Sequence, residues 1–392
     1  MGLGRRHQIA GQVDELMTGL QPFYSMEINN LARRLERQGR DICFLEQGQP
    51  AAPPSPRVAE AVAKVLHGAQ PYTPFAGLPE LREALAEYYR VQHGAEVPAE
   101  RIICTMGSSA GFILAFTTGF ETGAKIAVTR PGYPAYLNTM SGLGYRAVEI
   151  PVTAANHWRL TAAEVEAAYR AEPFAGLLFA SPANPTGAAV TREGLGEIVE
   201  TCRKLGVRLI SDEIYHGLDF RGPSVSALEF GDDAIVINSF SKYYCMTGWR
   251  IGWMVLPEDL LRRGEILQQN LFIAAPTLSQ VAAIAALTDR AYCEEQKAHY
   301  ADNRVLLRDG LRELGMPVDD GDGAFYAYAD ASRFTNDSLS FCKRMLEEVG
   351  VAATPGIDFD RVNGQRFVRF SYAGSKDTVA EALERMSGFL SR

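Results

Sequence analysis

Between residues 100 and 256, short apolar runs rich in β-branched residues alternate with segments of helical periodicity. Seven runs are candidate strands, and in chain order they read RIICTM, KIAVTR, YRAVEIPV, GLLFAS, VRLISD, AIVINSF and RIGWMVL. The helices between them have recognisable ends, since Thr161 and Glu164 have the spacing of a capping box and the helix through CRKL stops at Gly206. Strands that alternate with helices predict an α/β fold with a mainly parallel sheet covered on both faces.

The pattern changes after residue 257. Long helical segments come first, and then two strand-like stretches, GAFYAYAD and QRFVRFSY, lie on either side of SLSFCKRMLEEVG. This predicts a smaller α+β domain that the N-terminal segment joins. We therefore expect a large domain at 49–290, with a mainly parallel seven-stranded sheet sandwiched by helices, and a small domain built from 1–48 and 291–392.

Charge and cysteine content narrow the class of partner. The formal net charge of -8 argues against nucleic acid or an anionic membrane surface. No stretch approaches the roughly 18 apolar residues of a membrane span, and the start MGLGRRHQIAGQVDELM lacks the apolar run of a secretory signal. The six cysteines contain no CxxC pair and are expected to be reduced. We expect a cytoplasmic protein that binds neither nucleic acid nor membrane.

Polar residues follow several of the predicted strands, at the ends where ligands of parallel sheets bind. In chain order these residues are Gly107, Ser108 and Ser109, then Tyr133, Asn184, Asp212 and Tyr215. The Gly-Ser-Ser stretch suits a phosphate because free backbone N–H groups lie at a helix start, although it also serves as an ordinary turn. Asp212 ends an apolar strand, so its carboxylate must be paired or solvated. Each residue alone reads as a satisfied loop residue, but together they indicate a binding site.

Lys242 lies in the apolar and aromatic stretch INSFSKYYCMTGWRIGW, which also contains Arg250. Among apolar neighbours an amine loses its proton readily and can attack a carbonyl, which is the Schiff-base use of lysine. Arg250 can bind a phosphate with paired donors. An aldehyde that carries a phosphate and a basic aromatic ring would use all of these residues. Pyridoxal phosphate is that molecule.

These motifs, in this order, resemble those of the fold-type I, class I and II pyridoxal-phosphate aminotransferases, from ICFLEQGQP to GSKDTVAEALERM. The resemblance implies that Lys242 forms the Schiff base and later moves the substrate proton. It implies that Asp212 pairs with the pyridine nitrogen, that Asn184 and Tyr215 bond the phenolic oxygen, and that Tyr133 stacks on the ring. The implied phosphate site consists of Gly107, Ser108, Ser109, Ser239 and Arg250.

The resemblance extends to the substrate and to a second subunit. Arg369 in RFVRFSYAG matches the arginine that binds the substrate α-carboxylate, together with Asn184, and Gly48 in LEQGQP matches a glycine that lies against that carboxylate. Without the other motifs, Arg369 reads as an exposed strand arginine paired with an acid. Tyr72 in AQPYTPFAG matches a tyrosine that reaches the phosphate of the neighbouring subunit, which implies a homodimer with shared sites.

The implied reaction is a ping-pong transfer of an amino group from an L-amino acid to a 2-oxo acid. Ser109 stands where aspartate-specific relatives can have a lysine, and the segment with Phe23, Tyr24 and Met26 is expected to fold over the site. Both features favour neutral, apolar or aromatic donors, with 2-oxoglutarate or pyruvate as acceptor. The alternatives are a lyase or synthase on the same scaffold, a non-catalytic pyridoxal-phosphate-binding sensor, and an inactive scaffold protein.

Overall fold

The computed structural model describes residues 20–391. Its helices are α1 (Tyr24–Arg37), α2 (Pro56–Val65), α3 (Pro79–His93), α4 (Gly107–Gly119), α5 (Pro134–Gly142), α6 (Ala162–Ala171), α7 (Arg192–Leu205), α8 (Glu258–Leu271), α9 (Thr277–Leu287), α10 (Arg290–Glu313), α11 (Ser338–Val349) and α12 (Lys376–Leu390). Its strands are β1 (Cys43–Phe44), β2 (Ile102–Thr105), β3 (Lys125–Arg130), β4 (Arg146–Pro151), β5 (Gly176–Ala180), β6 (Arg208–Asp212), β7 (Ile235–Ser239), β8 (Gly252–Val255), β9 (Tyr326–Asp330), β10 (Val351–Ala352), β11 (Thr354–Pro355) and β12 (Phe367–Ser371).

The seven strands from β2 to β8 form one sheet in the order β2-β8-β7-β6-β5-β3-β4. The pairs from β7 to β4 are parallel, and β8 alone runs antiparallel to its two neighbours. Each strand falls within one of the seven apolar runs, so the prediction of a mainly parallel seven-stranded sheet is confirmed.

Both faces of this sheet are buried. Successive residues of one strand enter different apolar clusters, since Leu177 and Phe179 belong to one cluster and Leu178 belongs to the other. This alternation follows from the two-residue period of a strand, and it requires helices on both faces. The sheet is therefore sandwiched, and its loops at the strand ends are the places left for a ligand.

The predicted helix ends are also present. The backbone N–H of Thr161 donates to Glu164 (2.9 Å), and the backbone N–H of Glu164 donates to Thr161 Oγ1 (3.3 Å). These reciprocal bonds satisfy N–H groups that the first turn of α6 leaves free. Helix α7 ends at Gly206, whose φ of 67° lies in the left-handed region that glycine adopts without strain.

A second group of elements packs beside the large sheet. Strands β11, β12 and β9 form an antiparallel sheet, and β1 pairs with β10, so the N-terminal segment joins the C-terminal part of the chain. The carboxylate of Asp358 accepts the backbone N–H groups of Tyr24 (2.9 Å) and Ser25 (3.1 Å), which fixes the start of α1. The division at residues 48 and 290 stays a prediction, and the predictions made for the first 19 residues lie outside the described part.

None of the helices within residues 20–391 combines the length and the apolar character needed to cross a membrane.

Candidate active site

A cavity of about 350 Å³ opens beside the carboxyl ends of β5 and β6. Most of the predicted site residues line it. These are Gly48, Ser108, Ser109, Tyr133, Asn184, Asp212, Tyr215, Lys242, Arg250 and Arg369. The structure therefore brings together residues that are up to 321 positions apart in the chain, from Gly48 to Arg369 (369 − 48 = 321). Phe23 and Met26 also line the cavity, as expected for the segment around α1.

Lys242 follows β7 and points into this cavity. Its Nζ donates a hydrogen bond to the carbonyl of Gly48 (2.5 Å) and lies 5.9 Å from the centre of the Tyr215 ring. Burial, together with the charges of Arg369 and Arg250, lowers the pKa of Lys242 from 10.5 to about 8, and Asp212 acts in the opposite direction. The neutral form, which attacks carbonyls, is therefore far more populated near neutral pH than in an ordinary lysine, whose pKa is 10.5.

Asp212 ends β6 and is fully enclosed. One carboxylate oxygen accepts the backbone N–H of Ile214 (3.1 Å), and the other accepts the hydroxyl of Tyr136. Burial raises the pKa of Asp212 to about 6, against the hydrogen bonds from Tyr136 and Ile214 and the charge of Lys242. The carboxylate is thus still mostly ionised at neutral pH. It suits a cationic ring nitrogen, because a buried anion gains most from a partner charge.

An anion site lies at the start of α4. No side chain caps this helix at Met106, and Gly107 adopts a φ of 72°. A Cβ added to Gly107 would lie 2.7 Å from Nη2 of Arg250, so the guanidinium packs directly against the helix start. Arg250 donates to the carbonyl of Thr247 (3.0 Å) and forms no ion pair within residues 20–391. Helix N–H groups, a guanidinium that forms no ion pair among the described residues, and the hydroxyls of Ser108 and Ser109 together fit a phosphate.

The two serines before Lys242 have different positions. Ser239 does not line the cavity, because its hydroxyl lies within hydrogen-bond distance of Ser241 Oγ (2.9 Å) and the carbonyl of Ile251 (3.0 Å). Ser241 lines the cavity instead. The predicted phosphate contact of Ser239 stays a prediction, and the geometry adds Ser241, which holds the place directly before Lys242 in the sequence.

Arg369 lies on β12 and is only 3% exposed, so its interpretation as an exposed strand arginine is wrong. Its Nη1 donates to Asn184 Oδ1 (2.9 Å), and its Nη2 donates to the hydroxyl of Thr354 (3.1 Å) and the carbonyl of Glu46 (2.5 Å). Its Nε is buried and has no hydrogen-bond partner in the described part of the chain. A buried guanidinium with an unused donor suits a carboxylate ligand.

Four tyrosines complete the walls of the cavity. The ring of Tyr133 meets that of Phe23 edge-on, with 6.0 Å between the centroids, and Tyr136 meets Tyr133 in the same way at 5.3 Å. The hydroxyl of Tyr215 lies 2.7 Å from that of Tyr326. The sequence interpretation missed both Tyr136 and Tyr326. For Tyr136 the spacing from Tyr133 in RPGYPAY is a usable signal, since three positions along a helix share a face.

Tyr72 lies away from the cavity of its own chain and is 81% exposed. Its predicted contact with a neighbouring subunit stays a prediction.

Comparison with known proteins identifies the family. The family model for class I and II aminotransferases matches residues 40–386. The chain belongs to this family. It is 45% identical, over 96% of its length and 98% of the relative, to a valine–pyruvate aminotransferase of Mycobacterium tuberculosis.

Solved structures give the same result. The chain resembles an aminotransferase from Mycobacterium tuberculosis with a TM-score of 0.92 and 44% identity, covering 95% of this chain and 97% of that one. It also resembles the aspartate aminotransferase of Thermus thermophilus with maleate, with a TM-score of 0.90 and 32% identity, covering 95% and 98%. The chain is thus a pyridoxal-phosphate-dependent aminotransferase of fold type I that moves an amino group from an amino acid to a 2-oxo acid.

Proposed function

We propose that this aminotransferase uses a neutral, apolar L-amino acid as donor and a 2-oxo acid such as pyruvate as acceptor. The proposal rests on which charged side chains line the cavity. Among the described residues that line it, the cations are Lys242, Arg250 and Arg369. Each of the three has a use with any amino acid, so none is left for a second carboxylate on the substrate side chain.

The wall that remains for the substrate side chain is neutral. Ser109 stands where a lysine serves in aspartate-specific relatives, and apolar side chains of Phe23, Met26 and Ile214 line the cavity with it. Burial of an apolar substrate side chain against such a wall favours binding. A carboxylate buried there would have no partner, which would cost several kcal/mol of binding free energy. The relative from Mycobacterium tuberculosis that is 45% identical is named for valine and pyruvate, which supports the same donor class.

The residues present fit pyridoxal phosphate. We assign the phosphate to the start of α4 with Arg250, and the hydroxyls of Ser108, Ser109 and Ser241, which line the same cavity, would contribute. Asp212 would hold the proton of the ring nitrogen, and Tyr133 would lie against a ring face. Tyr215 and Asn184 would bond the phenolic oxygen. When bound, the cofactor supplies an electron sink that makes the α-proton of the substrate removable.

The chain's own groups then handle the substrate. Arg369 would hold the α-carboxylate, with Gly48 and Asn184 beside it, and so would present the α-carbon to Lys242. With the cofactor bound, the neutral amine of Lys242 would take the proton from the α-carbon and would deliver a proton to the cofactor's aldehyde carbon. Phe23 and Met26 would exclude water from the apolar end of the cavity.

We also propose a homodimer in which Tyr72 enters the partner's site. Tyr72 is the most exposed large hydrophobic side chain in the described part of the chain. The hydroxyl of Thr277 donates to the carbonyl of Pro71 (2.7 Å), which fixes the backbone next to Tyr72 against the first residue of α9. Leu271 and Ile273, a few positions before Thr277 in the chain, are exposed as well. An exposed aromatic residue among apolar neighbours suits an interface. The cytoplasmic location inferred from the cysteines also stays a prediction.

The test of the donor class is a comparison of kcat/KM for valine, leucine and alanine with that for aspartate and glutamate, with pyruvate as acceptor. We expect the neutral donors to be preferred by at least about tenfold, the effect of roughly 1.4 kcal/mol. In Ser109→Lys, aspartate should gain activity relative to valine, whereas Ser109→Met, which adds length without charge, should not favour aspartate. A wild-type preference for acidic donors would contradict the proposal. Release of ammonia in place of a transferred amine would favour the lyase alternative.

A further inference from the structure

Tyr326 connects three parts of the site that the sequence interpretation treats separately. It is the first residue of β9, it is buried, and it lines the cavity. Its hydroxyl lies 2.7 Å from the hydroxyl of Tyr215, and its ring lies under the guanidinium of Arg369 at 4.4 Å. Neither contact is a generic packing contact, because each joins Tyr326 to a residue assigned to the cofactor or the substrate.

Gly48 restricts the position of the Tyr326 hydroxyl. A Cβ added to Gly48 would collide with this oxygen, so the close approach requires glycine. The carbonyl of Gly48 in turn accepts the bond from Lys242. The Tyr326 hydroxyl is therefore held between Gly48 and Tyr215, and its one hydrogen-bond partner among residues 20–391 is Tyr215.

The direction of the hydrogen bond between Tyr215 and Tyr326 decides whether Tyr215 can also donate to a ligand. Tyr215 has one hydroxyl proton. If Tyr215 donates to Tyr326, that proton is not available for a ligand. If Tyr326 donates to Tyr215, the proton of Tyr215 stays free for an oxygen in the cavity. Two phenols at 2.7 Å must adopt one of these two arrangements.

The surroundings favour donation by Tyr326, because the stronger acid of two phenols is the better donor. Burial raises the pKa of both tyrosines, and that of Tyr215 rises well above its ordinary value. The charge of Arg369 lowers the pKa of both tyrosines, but the guanidinium lies over the ring of Tyr326, 4.4 Å from its centroid, where it is the largest effect that opposes burial. The guanidinium over its ring makes Tyr326 the stronger acid of the pair.

We infer that Tyr326 is a positioning residue that donates its hydroxyl proton to Tyr215 and thereby directs the proton of Tyr215 at the cofactor's phenolic oxygen. A donor that itself accepts a hydrogen bond is polarised and donates more strongly. Tyr326 thus tunes the cofactor through Tyr215 and without a contact of its own. The inference rests on the proposed assignment of Tyr215 to the phenolic oxygen.

The test is a pH titration of the visible absorbance of the protein loaded with pyridoxal phosphate. A bond donated to the phenolic oxygen stabilises its negative charge and lowers the midpoint of this titration. Tyr215→Phe should therefore raise the midpoint, and Tyr326→Phe should raise it by about half a unit to one unit, the usual effect of one hydrogen bond. In the Tyr215→Phe background, Tyr326→Phe should add no further shift.

Two controls separate this role from a structural one. Tyr328→Phe removes another buried hydroxyl from β9, one without a hydrogen-bond partner in the described part, and should leave the midpoint unchanged. Tyr326→Phe keeps the ring under Arg369, so the KM for the amino acid should change less than twofold, about 0.4 kcal/mol.

Three outcomes would count against the inference. A shift in Tyr215→Phe without one in Tyr326→Phe overturns it and leaves the assignment of Tyr215 intact. An equal effect of Tyr326→Phe with and without Tyr215 shows a route that bypasses Tyr215, and also overturns it. If neither single variant moves the midpoint, the assignment of Tyr215 itself is wrong, and the inference fails with it.

Discussion

Lys242 is a cation placed beside two other cations, Arg250 and Arg369, in one enclosed cavity. Its protonated form is therefore disfavoured by burial and by like charge. A lysine with only a structural role would destabilise the folded protein at this position. For a lysine that must react with an aldehyde, the same position supplies the neutral amine.

The first prediction concerns the pH dependence of cofactor uptake. Because the pKa of Lys242 is lowered to about 8 from 10.5, the amine is protonated below pH 8 and neutral above it. The rate at which the cofactor-free protein reacts with pyridoxal phosphate should rise about tenfold per pH unit below 8 and level off above it, as expected for one titrating group. Stopped-flow absorbance measures this rate. A rate that continues to rise to pH 10.5 would show that the site does not depress this pKa. Pyridoxine phosphate, which has no aldehyde, is the control ligand and should show no such rise.

At the scale of single residues, the sequence predicts those that follow strands better than those that act through others. Asp212 and Asn184 stand at strand ends, so parallel pairing alone brings them to one edge. Tyr326 cannot be found this way, because it reaches Tyr215 across 111 positions and from another sheet. Ser239 is the last residue of β7, three positions before Lys242, and its hydroxyl lies within hydrogen-bond distance of Ser241 Oγ and the carbonyl of Ile251. Its contact with the phosphate therefore stays a prediction.

At the scale of elements, helix α4 makes the anion site, and Gly107 sets how closely Arg250 approaches it. Gly107→Ala adds a Cβ at 2.7 Å from the guanidinium and forces alanine to a φ of 72°. We expect the dissociation constant of pyridoxal phosphate to rise by about tenfold or more, since displacing one charged donor costs roughly 1.5–3 kcal/mol. Equilibrium titration of the cofactor-free protein measures it.

The matched control is Gly123→Ala. Gly123 has a similar φ of 88°, but an added Cβ there would meet no atom within 4 Å. It should therefore show the backbone strain, as a lower melting temperature, without weaker cofactor binding. If Gly107→Ala and Gly123→Ala lost cofactor affinity equally, backbone strain alone would explain the loss. The contact of Gly107 with Arg250 would then have no part in cofactor binding.

The elements themselves were predictable to different degrees. Five of the seven strands of the large sheet, β2, β5, β6, β7 and β8, are buried along at least four consecutive residues, so each appears as a continuous apolar run. Strands β1, β10 and β11 have two residues each and are too short to show any period. Tertiary pairing defines them, with β1 held by β10.

At the scale of the whole molecule, the sequence indicates the class of the fold but not the order of its strands. The pairing of β8 with β2 joins residues more than 100 positions apart, such as Ile102 with Val255. No local pattern specifies such a pair. The resemblance to a known family indicates the fold that local patterns do not specify, and the matching structures confirm that fold.

A hybrid dimer tests the proposed shared site. Tyr72→Phe should weaken binding of the phosphate, and Lys242→Ala should abolish activity. In a hybrid of the two subunits, the site with an intact Lys242 receives Tyr72 from the partner if the sites are shared, so it should recover wild-type turnover. If Tyr72 acts within its own chain, or not at all, that site keeps the activity of Tyr72→Phe. Purification with two different tags isolates the hybrid for the assay.

The central claim is that this cavity transfers an amino group by means of Lys242, and a single half-reaction tests it most directly. The protein loaded with pyridoxal phosphate is mixed with excess valine and no oxo acid, and the released oxo acid and ammonia are counted. We expect about one equivalent of 2-oxo acid per chain and then no further release, no ammonia, and no 2-oxo acid from Lys242→Ala. Continuous release of oxo acid together with ammonia, or undiminished release from Lys242→Ala, would contradict it.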